Sequence, residues 1–185
     1  MEKKKEDRRI KYTKMVLKSS LLELLQEKPI QKITVTEICR RADINRNTFY
    51  AHYFSPENLL SQIEDELFHQ LTAAIDNEMD SEKLLLEICQ VIYANQDLGK
   101  IIFSEHGYKE LLERIKSIGH ASFIREWQHF LEPGDQGSLE KIYSFVANGT
   151  VGIMKDWIRN DFKESPEEIA AFTAGIINHL RQAFT

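Results

Sequence analysis

Ile33-Thr34-Val35-Thr36-Glu37-Ile38-Cys39-Arg40-Arg41-Ala42-Asp43-Ile44-Asn45-Arg46-Asn47-Thr48-Phe49-Tyr50-Ala51-His52-Tyr53 holds two short helices, a tight turn and a polar helix start in one segment. Thr34 can cap a helix while Glu37, three positions on, reaches back to the cap amide, so a helix is expected to begin near Val35. Val35, Ile38, Cys39 and Ala42 recur at spacings of three and four, which sets them on one inward stripe and leaves Arg40 and Arg41 in water. Asp43 ends this helix, because a short polar side chain tolerates the left-handed backbone of a turn. Asn45 then caps a second helix, whose Phe49 and Tyr53 face inward while Arg46, Asn47, Tyr50 and Ala51 cluster on the other side. Helix, tight turn and helix form the pattern in which the opening residues of the second helix enter the major groove of DNA.

The flanks extend the pattern. Leu17, Leu21, Leu24 and Leu25 make the apolar stripe of a first helix from about Arg8 to Gln26, stopped by Lys28-Pro29. Ser55-Pro56-Glu57 is a helix start with a hydroxyl cap and Pro at the first helical position, followed by Leu59, Leu60, Ile63, Leu67, Leu71 and Ile75. This helix is expected to link a head, residues 1–54, to a body, residues 55–185, as a rigid lever. In the body, Leu84, Leu85, Ile88, Cys89 and Ile92 mark one helix, and Leu98 to Phe103 a shorter one. Leu111 to Leu131 form further helical stretches, closed by the break 132–137. A long helix follows from about Ser138 to Asn160, and Ser165-Pro166-Glu167-Glu168 caps the last one. The fold class read from this pattern is all-α: an N-terminal three-helix helix-turn-helix domain and a C-terminal antiparallel helical domain.

The 185 residues include only 8 Gly and 4 Pro, as long helices require. Residues 1–54 carry 13 Lys or Arg against 7 Asp or Glu, a net of +6; the other 131 carry 11 against 22, a net of -11. A basic head on an acidic body suits a duplex partner, since phosphate attracts the one and repels the other. Two cysteines, Cys39 and Cys89, are too few for a disulfide framework, and no 18-residue apolar window or leader-like start occurs. A cytoplasmic protein with no membrane partner is the expectation.

The run Thr48-Phe49-Tyr50-x-His52-Tyr53-Phe54, followed by Glu57-x-Leu59-Leu60, resembles the DNA-binding domain of the TetR (tetracycline repressor) regulators. Two positions depart from that family's usual thread: Asp43 stands where its turn carries Gly, and Pro56 where a basic residue is common. Gly149-x-x-Gly152-Ile153-x-Lys155-x-Trp157 and Glu164-Ser165-Pro166-Glu167-Glu168 resemble a C-terminal domain common among Firmicutes members. The resemblance implies a repressor that binds a palindromic operator as a homodimer and is released by a small-molecule inducer, with no cofactor and no metal.

Within that reading Arg46 and Asn47 stand where base edges are read, Arg bidentate to guanine and Asn to adenine. Thr34, Thr36, Thr48, Tyr50 and His52 suit phosphate oxygens, with Asn45 and the free amides of the helix starts beside them. Lys3, Lys4, Lys5, Arg8 and Arg9 can trail along the backbone or minor groove. Phe145, Met154, Trp157, Phe172 and Ile176 give the last two helices apolar bulk on more than one side, which implies a four-helix dimer interface holding two heads about 34 Å apart. Phe103, His106, Phe123, Trp127 and Tyr143 are the candidate lining of an effector pocket. Two rival readings remain. Glu66-x-x-His69 and Glu126-x-x-His129 have the spacing of a di-iron carboxylate bundle enzyme. The departures at Asp43 and Pro56 admit an adaptor of the same fold that has lost DNA affinity.

Overall fold

The computed structural model describes residues 2–74, 80–103, 109–130 and 136–184, with side chains described from residue 8 onward except those of residues 74, 109, 110 and 136. Within them lie α1 (Glu2–Glu27), α2 (Val35–Ala42), α3 (Arg46–Tyr50), α4 (Pro56–Ala74), α5 (Ser81–Ala94), α6 (Gln96–Ile102), α7 (Lys109–Trp127), α8 (Gln136–Arg159) and α9 (Pro166–Gln182). No strand occurs among the described residues. The chain divides into two compact units, Met1–Glu66 and Leu67–Thr185.

In the first unit α1 packs along α2, and Leu17, Leu21, Ile38 and Phe49 are fully buried. Each such side chain contributes about 1.5–3 kcal/mol by leaving water. Arg41 faces water as expected and reaches back to α1, 2.8 Å from Glu27 and 3.7 Å from Glu23. Two boundaries differ from the sequence reading. Helix α1 begins at Glu2 rather than near Arg8, because the Glu, Lys and Arg before the apolar stripe are good helix formers. The division between units falls inside α4 rather than before it, since Leu59, Leu60 and Ile63 of its first turns are buried with the head. A 3-10 turn at Ile30–Lys32, after Pro29 with its fixed φ of -65°, connects α1 to α2 and had no distinct sequence signal.

In the second unit α5 lies against α9, while α7 and α6 each pack on α8. Thr173, fully buried on α9, satisfies its hydroxyl by donating to the Ile169 carbonyl at 2.7 Å. Met154 and Trp157, expected on a dimer face, are core residues instead, each 2% exposed. Met154 Sδ lies 4.0 Å from Cys89 Sγ. The Trp157 indole donates to the Glu164 carbonyl at 2.8 Å, and its ring meets Tyr93 and Phe162 at 6.2 and 4.9 Å. The chain folds back after α8 through Asp161 and Phe162, both at positive φ (52° and 54°). Left-handed backbone costs roughly 1–2 kcal/mol per non-glycine residue. Burying the Phe162 ring beside Trp157 offsets that cost, and Lys100 holds Asp161 at 2.7 Å.

Candidate functional site

The head is built on caps. The Thr34 amide donates to Glu37 Oε2 at 3.0 Å and the Glu37 amide donates to Thr34 Oγ1 at 3.3 Å, so the anticipated capping box is present. Lys28 Nζ sits 2.5 Å from Glu37 Oε1. That ammonium, with the Thr34 donors, pulls the Glu37 carboxyl down to about 2. Asp43 closes α2 in the left-handed region (φ 53°, ψ 44°), its amide and that of Ile44 both donating to the Cys39 carbonyl. Asn45 Oδ1 accepts from the Asn47 amide at 2.8 Å and starts α3.

Helix α3 is only five residues long, and one buried ring fixes its roll. Phe49 is wholly inside, flanked by Tyr50 at 5.6 Å and Tyr53 at 5.7 Å. The opposite face therefore presents Arg46, Asn47 and Tyr50 to solvent, with the Arg46 guanidinium 6.0 Å from the Tyr50 ring centre. Thr34, Thr36 and Asn45 are also exposed, while Thr48 and His52 are half-buried. The Thr34 hydroxyl and the Asn45 carboxamide oxygen are already engaged by their helix caps, so both residues position the surface. Phe54, passed over in the sequence reading of the site, is 86% exposed directly after the motif. Its signal was a large aromatic residue outside the inward stripe of Phe49 and Tyr53. Arg8 and Arg9 lie exposed on helix α1, so they form part of a helix rather than a trailing arm. The side chains of Lys3, Lys4 and Lys5 fall outside the described residues.

The second unit holds a mostly apolar cavity of about 100 Å³ between α5, α7, α8 and α9. Phe103, Phe123 and Tyr143 line it as expected. His106 lies outside the described residues. Trp127 is not on the lining: it is fully buried behind it, stacked on Phe123 at 4.8 Å, and its indole Nε1 has no hydrogen-bond partner among the described residues. The Tyr143 hydroxyl donates to the Lys116 carbonyl, which ties α8 to α7. Burial, aided by the negative charges of Glu140 and Glu113, pushes the Tyr143 phenol up to about 12. Sequence reasoning missed Lys116, Gly119, His120 and Glu140. These partners come together only when α7 and α8 pack, so no local spacing announces them.

Phe145, Phe172 and Ile176 are exposed on α8 and α9, by 70%, 60% and 46%. Gly149 and Gly152 share the helical face of Phe145, and the position of a Cβ on either meets nothing within 4 Å. The two Glu-x-x-His pairs do not form a metal site. Glu66 and His69 are exposed, with Glu66 3.1 Å from Lys18. Glu126 accepts from the Ser81 amide and hydroxyl at 2.7 and 2.9 Å, bracing the start of α5.

A head with a capped, outward-facing second helix on an all-helical chain has the architecture of the helix-turn-helix class. Residues 19–63 match the family model of bacterial regulatory proteins of the tetR family, and residues 79–179 match that of a transcriptional regulator C-terminal region. The chain belongs to the TetR family, a family of transcriptional regulators rather than enzymes. It is 43% identical over 181 residues to the uncharacterized HTH-type transcriptional regulator YxbF of Bacillus subtilis (strain 168), a match covering 92% of this chain and 46% of that protein. The chain thus spans less than half the length of that relative. The fold is shared with a TetR transcriptional regulator from Streptococcus agalactiae 2603V (TM-score 0.65, 24% identity, 93% and 97% of the two chains). It is shared equally with the dihydroxyacetone kinase operon activator DhaS (TM-score 0.66, 19% identity, 93% and 97%).

Proposed function

We propose that this chain is a cytoplasmic transcriptional repressor that binds a palindromic DNA operator as a homodimer and is released by a small molecule seated in the body. The observation that carries the reading is α3: a short capped helix, its roll fixed by Phe49, with Arg46, Asn47 and Tyr50 all facing solvent. Arg46 and Asn47 are the base readers, and Thr36, Thr48, Tyr50 and His52 serve the phosphates. Thr34 and Asn45 hold the two helix starts in place. The exposed side chains Phe145, Phe172 and Ile176 supply the dimer face, and two heads on one face of the duplex read half-sites roughly 34 Å apart. Repression by occlusion asks nothing of the protein beyond occupying its site. The cavity lined by Phe103, Phe123 and Tyr143 is the effector site. An effector lowers operator affinity by favouring a body arrangement that DNA disfavours, and DNA then weakens the effector by the same factor.

Selection of duplexes from a random library by the purified full chain tests the reading. The expected product is an inverted repeat bound by two chains, with affinity falling steeply as salt rises. Absence of salt-dependent binding to any duplex overturns DNA recognition and leaves an adaptor of the same fold. A reporter placed behind the selected sequence tests the sign of control: reduced transcription is expected, and increased transcription refutes repression.

A further inference from the structure

We propose that the effector is an organic amine whose compact apolar part fills the cavity and whose cationic nitrogen emerges between α7 and α8 onto Glu140 and Glu113. The inference rests on the reading of the cavity as the effector site and gives that site a ligand class.

The geometry has two compartments with a common wall. Beside the apolar cavity runs an open groove of about 410 Å³ with a mixed, more polar lining, and Lys116, Tyr143 and Ala147 line both. Tyr143 is the partition. Its hydroxyl is fastened to the Lys116 carbonyl, and on the groove side His120 stands edge-on to its ring at 4.7 Å. His120 Nε2 in turn lies 3.1 and 3.0 Å from the two oxygens of Glu140. A molecule passing the ring therefore moves from an apolar chamber directly to a carboxylate. Such a path selects an amphiphile, since a charged group left inside the cavity would lose its hydration without a partner.

The charges select the sign of the head. The groove sets two carboxylates beside two basic groups: the Lys116 ammonium lies 2.5 Å from Glu113, and the His120 imidazole 3.0 Å from Glu140. Lys116 is also the cation on the cavity wall, so an anionic head would have to compete with Glu113 for it. Burial first, and the charges of Glu140 and Glu113 after it, raise the Tyr143 phenol between the two compartments. Residues 55–185 as a whole carry a net of -11, a field that concentrates cations and repels anions. The size follows from the cavity: a void of roughly 150 Å³ holds benzene, so a space of about 100 Å³ takes only the last few carbons of a chain whose remainder lies past Tyr143 toward the groove.

The test titrates n-hexylammonium, n-hexanol and n-hexanoate into the free full-length protein by calorimetry, with operator release measured separately. Hexylammonium is expected to bind at least tenfold more tightly than hexanol, and hexanoate most weakly. Glu140→Gln should bring hexylammonium to the level of hexanol and leave hexanol unchanged. Gly119→Ala should weaken all three several-fold. Its new Cβ would stand 3.7 Å from Leu84 Cδ2 and 3.9 Å from Tyr143 Oη, which fills space without a clash. Hexanoate binding tightest, no binding by any probe, or no effect of Glu140→Gln on hexylammonium would each overturn the proposal. Hexylammonium binding that leaves the operator complex intact would overturn the effector reading instead and leave the amine site standing.

Discussion

Replacing Arg46 by Ala separates the cost to the free protein from the cost to recognition. In the free protein the side chain is exposed, and its recorded ring contact is with Tyr50 at 6.0 Å. A cation over an exposed ring contributes about 0.5–1 kcal/mol. In a unit of some 66 residues, 1 kcal/mol shifts the melting temperature by about 4–8 °C, so the thermal midpoint of the head should fall by less than that. On DNA the same substitution removes a bidentate base contact worth about 1–3 kcal/mol. At 1.4 kcal/mol per decade, the cognate complex should weaken roughly 5- to 150-fold. Fluorescence anisotropy on the selected operator, on single-base variants and on random duplex measures both affinity and its pattern. Base preference should flatten at one position per half-site while random-duplex affinity and the salt slope hardly move. A uniform loss over all duplexes, with a slope lower by about one, would show Arg46 on a phosphate instead. An unchanged cognate affinity would show that α3 does not enter the groove as argued.

Tyr50→Phe removes a donor from the exposed face and should weaken all duplexes alike, as anisotropy on cognate and random duplex would show. Phe172→Glu places a charge on the exposed face of α9 and should give a folded monomer by sedimentation; Trp157→Ala removes a fully packed ring and should instead destabilise the second unit by about 3–5 kcal/mol in denaturant titration. A dimer persisting in Phe172→Glu would relocate the interface. Glu37 has its folded pKa depressed from 4.5 to about 2, chiefly by Lys28 and Thr34, so its stabilising effect is complete above about pH 4.5 and is lost as pH falls toward 2. Acid unfolding of the head followed by circular dichroism should therefore be shallower across that window in Glu37→Gln. Asp43→Gly relieves a left-handed non-glycine residue against the greater chain entropy of glycine, for a net gain of about 0.5–1 kcal/mol by thermal denaturation; a loss would show that the Asp43 side chain stabilises the turn.

The features read directly from sequence are those settled within four residues. Thr34 with Glu37, Asn45 with Asn47, and Ser165 with Glu168 are caps whose two halves lie on one turn, and each forms as its spacing implies. Asp43 in the left-handed region belongs to the same group. Periodicity shows that a side chain faces inward but not which surface it meets, so Met154 and Trp157 read as surplus bulk for a second chain. Trp157 is buried because Asp161 and Phe162 turn back without a glycine to mark the place and so bring Phe162 onto it, while Met154 packs against Cys89 of α5. Glu126 met the same obstacle: its partner Ser81 is 45 residues away, and no motif encodes that pairing.

The cavity of the second unit shows where such reading ends in physical terms. Its lining of Leu84, Leu85, Ile88, Ile92 and Met154 uses the residue types of any helical core, and a well-packed core of the same composition would leave no room. The space is a property of fit rather than of residue type. At Gly119 the missing side chain leaves room beside Leu84 and Tyr143, and Tyr143 is tethered to the Lys116 carbonyl rather than swung inward. The wall is held by that hydrogen bond and by the His120–Glu140 contact behind it. The side chains with the least distinctive sequence signature thus make the chamber, and the polar pair beside it, His120 and Glu140, lies twenty residues apart and meets only across two helices.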